Sequence, residues 1–289
     1  MIKATAKISS TFILEVEHYL FEFAPHNWVL HTDPKEITIE LTGFFESTSA
    51  AKKSFEEIFD NNTSLQSDVL SFDKIHDEDW KNSYKKHFKP WNIDTFHWVP
   101  IWEESTYIIP NNHKRLLLDP GMAFGTGNHE TTKLCLQSII DNQKKTDDYS
   151  FIDVGCGSGI LALTASLIGY KYIDGMDSDS DSIKVSNENA KLNNIKNVIF
   201  ELESLENISQ GKKYDFVIAN IQADILKKNS EKLINIMSSE GTLVLSGILV
   251  TELSDVEKHY IKIFEEKLLK VNTNSKILNE WGLLEFHSI

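Results

Sequence analysis

Residues 151–165, FIDVGCGSGILALTA, run an apolar strand into a turn with glycine at 155, 157 and 159 and then into an apolar stretch of helical character. A strand-to-helix turn of this kind needs backbone angles that a Cβ resists, and bare glycines let a ligand approach the main-chain amides. Such a unit belongs to a parallel sheet covered by helices, and the rest of the second half agrees. YIDGMD, VIFEL, YDFVIANI and GTLVLSGI are apolar, β-branched segments separated by helix-like stretches, as expected of strands buried on both faces. KHYIKIFEEKLLKVNT and SKILNEWGLLEFHSI then predict a helix and a closing hairpin of strands.

The first 75 residues follow another rule. IKATAKI reads as a strand, FILEVEHYLFEF as a helix, WVLHT and EITIELTGFF as strands around the turn DPKE, SAAKKSFEEIFD as a second helix and SDVLSF as a last strand. That order is the split β-α-β pattern of a small ferredoxin-like domain. It holds no glycine loop and no cluster of catalytic residue types, so it suits recognition better than chemistry. Residues 76–91 follow as a linker helix, where Trp80, Tyr84 and Phe88 recur on one face and Pro90 ends the run. Residues 92–289 form the doubly wound α/β domain.

With 29 Lys and Arg against 43 Asp and Glu, the formal charge of -14 argues against a nucleic-acid backbone as the main partner. Cys135 and Cys156 form no metal-binding or disulfide pattern. Neither a secretory leader nor a membrane span is predicted, so a cytoplasmic protein with reduced thiols is expected.

A second glycine loop competes for the cofactor. LLLDPGMAFGTGNHETT, residues 116–132, also runs from strand through glycines toward a helix. The deciding feature is an acid. Asp177 ends YIDGMD 22 residues beyond Gly155, where a carboxylate at the tip of the adjacent strand accepts both hydroxyls of a ribose. The same residue also suits a helix cap, since Ser178, Asp179 and Asp181 crowd that turn. Twenty residues past Gly127 there is only the polar connection KKTDDYS, and HETTK has Lys133 where a zinc-binding helix needs its second histidine. The earlier loop is therefore expected to wall or cover a cofactor held elsewhere.

Finer features separate a dinucleotide from S-adenosylmethionine. The spacing is G-x-G-x-G, one position short of the pyrophosphate pattern, and Asp153 sits two residues before the first glycine with no Lys or Arg in the immediate loop. That acid suits a sulfonium and an amino group and opposes a pyrophosphate. Asn220 ends YDFVIAN at the carboxyl edge of the sheet, either as a helix cap or as an acceptor that aligns an amine with a methyl group. His129, alone beside a helix start, is expected to hydrogen-bond within its loop and not to act as a base.

Through DEDWKNSYKKHFKP, LLLDPGMAFGTGNHETTKLCL, FIDVGCGSGILALTA, GMDSDSDSIKVSNENAKLN and VIANI, the chain resembles the ribosomal protein L-eleven (L11) methyltransferases, the PrmA family. The resemblance covers residues 77–289. It implies a seven-stranded class I methyltransferase sheet, S-adenosylmethionine as methyl donor, and cofactor contacts from Thr132, Gly155, Asp177 and Asn220, beside Asp153, Gly157 and Gly125. It brings Phe124, Gly125 and Thr126 close to the transferred methyl, so that Asn220, Phe124 and Thr126 form the catalytic set. It further implies ribosomal protein L11 as a substrate held by the N-terminal domain, methylated on lysine side chains and its N-terminal α-amine by a monomer that binds neither membrane nor nucleic acid. One departure stands out. Relatives often read NILAGPL where this chain reads NIQADIL, which adds Gln222 and Asp224 near the acceptor site and leaves room for another protein lysine or a small amine as target. A noncatalytic nucleotide-binding module is the alternative from a different class.

Overall fold

The computed structural model describes residues 2–23, 28–31, 38–58, 69–74, 88–119, 129–143, 148–208 and 211–289. The chain divides into two compact units, Met1–His87 and Phe88–Ile289.

In the first unit, β1 (Ile2–Ser9), α1 (Ile13–Phe23), β2 (Trp28–His31), β3 (Thr38–Phe45), α2 (Thr48–Ile58) and β4 (Leu70–Lys74) follow one another. The sheet order is β2-β3-β1-β4 with every pair antiparallel, the split β-α-β arrangement expected from the alternation of elements. Alternate residues of β1, Ala4, Ala6 and Ile8, are buried in one core with Val16, Phe55 and Ile58. Trp28 closes that core with its ring against Phe45 at 4.9 Å and its Nε1–H donated to Ser54 Oγ at 2.9 Å.

The second unit opens with a three-stranded sheet, β5 (Trp91–Ile93), β6 (Phe96–Pro100) and β7 (Lys114–Leu118), antiparallel then parallel. Its seven-stranded sheet comprises β8 (Ser150–Val154), β9 (Tyr172–Asp177), β10 (Val198–Leu202), β11 (Tyr214–Asn220), β12 (Met237–Leu249), β13 (Val271–Leu278) and β14 (Trp281–Ser288) in the order β10-β9-β8-β11-β12-β14-β13. The strands from β10 to β12 are parallel, and β14 and β13 close the sheet antiparallel. Among the described residues, six α-helices accompany these strands: α3 (Glu130–Asp141), α4 (Ile160–Ile168), α5 (Ser180–Leu192), α6 (Ala223–Lys228), α7 (Ser230–Ile236) and α8 (Val250–Glu266). The chain leaves β8 toward β9 and β10 on one side and returns to β11 and β12 on the other. Ligands of open α/β sheets bind at this reversal, beyond the carboxyl ends of the strands.

Some boundaries differ from the sequence expectation. The sheet of residues 91–118 was visible in sequence only as its last strand, because its aromatic strands lack a clean alternation. The last helix begins at Val250, well before Lys258, since Leu253, Val256, Tyr260, Ile263 and Phe264 form one buried stripe; residues 271–273 (VNT) already belong to β13. Residues 76–87 of the expected linker helix, with Trp80 and Tyr84, lie outside the described residues. Residues 88–90 are not helical, and Phe88 is buried with its ring 5.9 Å from that of Trp102. Among the described residues no helix is long and apolar enough to cross a membrane, and no cluster of His, Cys, Asp and Glu is arranged to hold a metal ion.

Candidate cofactor site

At the end of β8 the chain turns through Gly155, Gly157 and Gly159, with φ of +76°, +50° and +78°. These are left-handed conformations that a side chain disfavours. The Gly155 and Cys156 amides both donate to the Met176 carbonyl, at 2.8 and 2.9 Å, and so fasten the loop to β9. A Cβ on Gly155 would stand 2.7 Å from Ile221 Cγ2, which brings the loop against the residue that follows Asn220.

Helix α4 starts from Gly159, which has no side chain to cap it. Asp153, on the strand before the loop, supplies the cap: its Oδ2 accepts the Ala162 N–H at 3.2 Å. The carboxyl is wholly buried. Burial pushes its pKa up to about 7, against the pull of the Ala162 amide and with the help of the neighbouring Asp177 charge.

Asp177, at the tip of β9, does not cap α5. That role belongs to Asp179, whose carboxylate accepts the Asp181 and Ser182 amides. Asp177 is braced instead, with Oδ2 accepting the Gly157 N–H and Oδ1 the Asp179 N–H, each at 2.9 Å. Each carboxylate oxygen keeps acceptor capacity for a further donor. Asn220 likewise escapes the capping role, because the N-cap of α6 is Gln222. Asp224 is 89% exposed and pairs with Lys227 at 3.5 Å, so this new acid faces solvent.

Thr132 lies buried in the first turn of α3, a helix packed on α4, β11, β12 and β14. His129 is the N-cap of that helix. Its Nδ1 accepts from the Thr131 amide at 3.3 Å and lies 2.8 Å from Thr131 Oγ1, and its ring sits edge-on to Trp281 at 4.9 Å. Burial lowers its pKa, with Glu130 opposing and Lys133 assisting. The sequence predicted a hydrogen-bonding role beside the helix start, and the bonds to Thr131 supply it. Phe124, Gly125 and Thr126 lie outside the described residues.

The structure thus joins Asp153, Gly155, Gly157 and Asp177 in one bonded loop, with Asn220 beside it through Ile221. Sequence reasoning missed Asn189 of α5, a polar side chain 1% exposed that bonds the Ser158 carbonyl inside the loop at 3.0 Å; the only signal was an asparagine on the helix face turned to the sheet.

Which ligand the site fits follows from its unpaired atoms. Thr132 Oγ1, Asp153 Oδ1 and Asn220 Oδ1 are three of the eight buried side-chain polar atoms without a hydrogen-bond partner among the described residues. Each such atom costs roughly 1–3 kcal/mol, so their concentration in the expected site points to a ligand that donates to them. The Asp153 carboxyl and the Asn220 amide oxygen, with the remaining lone pairs of Asp177 beside them, fit a ligand bearing a cation and hydroxyl groups, as S-adenosylmethionine does, and disfavour a pyrophosphate.

Comparison with known proteins agrees. The family model described as ribosomal protein L11 methyltransferase (PrmA) matches residues 5–285. A ribosomal protein L11 methyltransferase of Caldicellulosiruptor saccharolyticus is 39% identical over 217 residues, covering 74% of this chain and 68% of that protein. One of Caldanaerobacter subterraneus subsp. tengcongensis is 40% identical over 194 residues, covering 66% of this chain and 61% of that protein. The crystal structure of a ribosomal protein L11 methylase from Lactobacillus delbrueckii subsp. bulgaricus superposes with a TM-score of 0.61 at 28% identity, over 70% of this chain and 99% of that one. With its glycine loop, its braced strand-tip acid and a match over nearly its whole length, this chain belongs to the ribosomal protein L11 methyltransferase (PrmA) family.

Proposed function

We propose that the chain is an S-adenosylmethionine-dependent N-methyltransferase that modifies ribosomal protein L11 at lysine side chains and at the N-terminal α-amine. The observation that carries this reading is the group of buried, unpaired acceptors on Thr132, Asp153 and Asn220 around a glycine loop at the reversal point of the sheet. Family membership names the substrate. On this reading the enzyme works in the cytoplasm as a monomer, and residues 1–75 hold the protein substrate while residues 92–289 carry the chemistry.

S-adenosylmethionine would supply a methyl group on a positively charged sulfur; in-line attack by the amine lone pair on the methyl carbon would break the carbon–sulfur bond and release the neutral thioether. Alignment and electrostatics are then the protein's share. Asp177 offers its remaining lone pairs to the ribose hydroxyls, and Gly155 and Gly157 keep the main chain bare beneath them. Asp153 and Thr132 serve the methionine end, where a cation stabilises the ionised form of Asp153. Asn220 accepts an N–H of the target amine and turns the nitrogen lone pair toward the methyl.

The nucleophile sets the energetic problem. A lysine amine is neutral only about 0.04% of the time at pH 7, a cost of about 4–5 kcal/mol, whereas an α-amine with pKa near 8 loses far less. A neighbouring cation and partial burial both lower an amine's pKa. No dedicated base is then required, in keeping with a His129 whose Nδ1 is committed to capping α3.

The test is mass spectrometry of purified ribosomal protein L11 after incubation with the enzyme and S-adenosylmethionine. Added methyl groups mapped to lysines and the N-terminal amine are the expected result. An enzyme that binds the cofactor and leaves the protein unmodified would move the substrate to another protein or a small amine. Binding of NAD in place of S-adenosylmethionine would refute the methyltransferase reading itself.

A further inference from the structure

Helix α5 and its C-cap present two asparagines one turn apart, Asn189 and Asn193, and residues at that spacing share a face. Asn193 accepts the Leu117 N–H and donates to the Leu117 carbonyl, both at 2.7 Å. Its amide stands in for a neighbouring strand at the open edge of β7. Asn189 does something different. Its Oδ1 accepts the Asp119 N–H at 2.9 Å and its Nδ2 donates to the Ser158 carbonyl at 3.0 Å. One buried side chain therefore joins the exit of β7 to the glycine loop, segments 70 and 31 positions away from it.

One end of this clamp lies in the glycine loop itself. Ser158 follows Gly157, whose amide Asp177 holds, and precedes Gly159, where a Cβ would meet Ser186 Cβ of the same helix at 3.0 Å. Asp119 begins the stretch of chain that leads to His129 and Thr132. A carboxamide donates from one terminal atom and accepts at the other, which a carboxylate of the same shape does not. An aspartate at this position would keep the bond to Asp119 and set an acceptor against the Ser158 carbonyl.

We propose that Asn189 is a positioning residue for methyl transfer: its two hydrogen bonds fix the register of the β7 exit against the glycine loop, and hence the alignment of the acceptor with the methyl donor. This rests on the glycine loop being the S-adenosylmethionine site. Asn189 touches no reacting atom, so turnover suffers more than cofactor affinity.

The test compares wild type, N189A, N189D and N193A by circular dichroism, thermal unfolding, calorimetric titration with S-adenosylmethionine, and steady-state methylation of ribosomal protein L11. At saturating cofactor, N189A and N189D lose on the order of 10- to 100-fold in kcat, the scale of a misalignment near 1 Å, while the cofactor Kd moves by less than about threefold. N193A, which holds β7 without reaching the loop, lowers the unfolding temperature and keeps kcat within about twofold of wild type. If N189A unfolds, N189D carries the test, since it retains the acceptor for Asp119. Wild-type kcat in N189D, or an equal loss of kcat in N193A, overturns the positioning role with the methyltransferase reading intact. A wild-type enzyme that fails to bind S-adenosylmethionine overturns both.

Discussion

Replacing Asp153 with asparagine should stabilise the free protein at alkaline pH and weaken its hold on S-adenosylmethionine. The carboxyl is wholly buried and its pKa is raised from an ordinary 3.8 to about 7. The folded chain therefore keeps a proton that the unfolded chain gives up. Stability from this group is fully present below the ordinary carboxyl pKa and is lost as pH rises toward and through 7. The shift of about 3 units corresponds to about 4 kcal/mol. The carboxamide introduced by D153N would still offer an oxygen to the Ala162 amide and would not ionise. Urea unfolding of D153N and wild type should give nearly equal stabilities near about pH 4 and a gap approaching about 4 kcal/mol near about pH 8. Cofactor binding should run the other way. If Asp153 Oδ1 meets a cation, the ionised form is selected, and binding near pH 6 releases a proton that calorimetry in buffers of different ionisation enthalpy detects. D153N should bind about tenfold or more weakly, the worth of a hydrogen bond to a charged group. A stability gap independent of pH would refute the account of the buried carboxyl, and unchanged affinity would remove Asp153 from the cofactor site.

Asp177→Ala removes the brace on the Gly157 amide together with the proposed ribose acceptor, and calorimetry should show at least about a tenfold loss of S-adenosylmethionine affinity with the circular dichroism spectrum unchanged. Gly155→Ala forces a side chain into φ of +76° and 2.7 Å from Ile221 Cγ2. About 1–2 kcal/mol of stability should be lost to the backbone alone, with cofactor binding abolished; a stable variant that still binds would mean that the loop yields. Deleting residues 1–75 should leave S-adenosylmethionine titration unchanged and abolish methylation of ribosomal protein L11, and normal methylation by the truncated chain would give the first unit another task.

Much of this molecule was readable before any coordinates. Glycines at 155, 157 and 159 announce a left-handed turn because their meaning is local, and the apolar strands announce a parallel sheet because burial on both faces shows in composition. The split β-α-β unit was readable for the same reason. Among the acids the sequence stopped short. Asp177, Asp179 and Asp181 crowd one turn, and only the folded backbone shows that Asp179 caps the helix while Asp177 reaches back to Gly157. Asn220 was open between cap and acceptor until Gln222 proved to start α6.

Other features have no signature along the chain at all. The raised pKa of Asp153 depends on complete enclosure, the contact of Gly155 with Ile221 on two strands meeting, and the clamp of Asn189 on Asp119 and Ser158 on segments far apart in sequence. By itself the sequence determined most of the elements, their class and the glycine turn at which we propose that the cofactor binds, since periodicity and glycine spacing act within a few residues. Tertiary structure alone decided which carboxylate faces which amide and which polar atoms stay unpaired, because those outcomes depend on burial and on contacts that form only when the strands are ordered side by side.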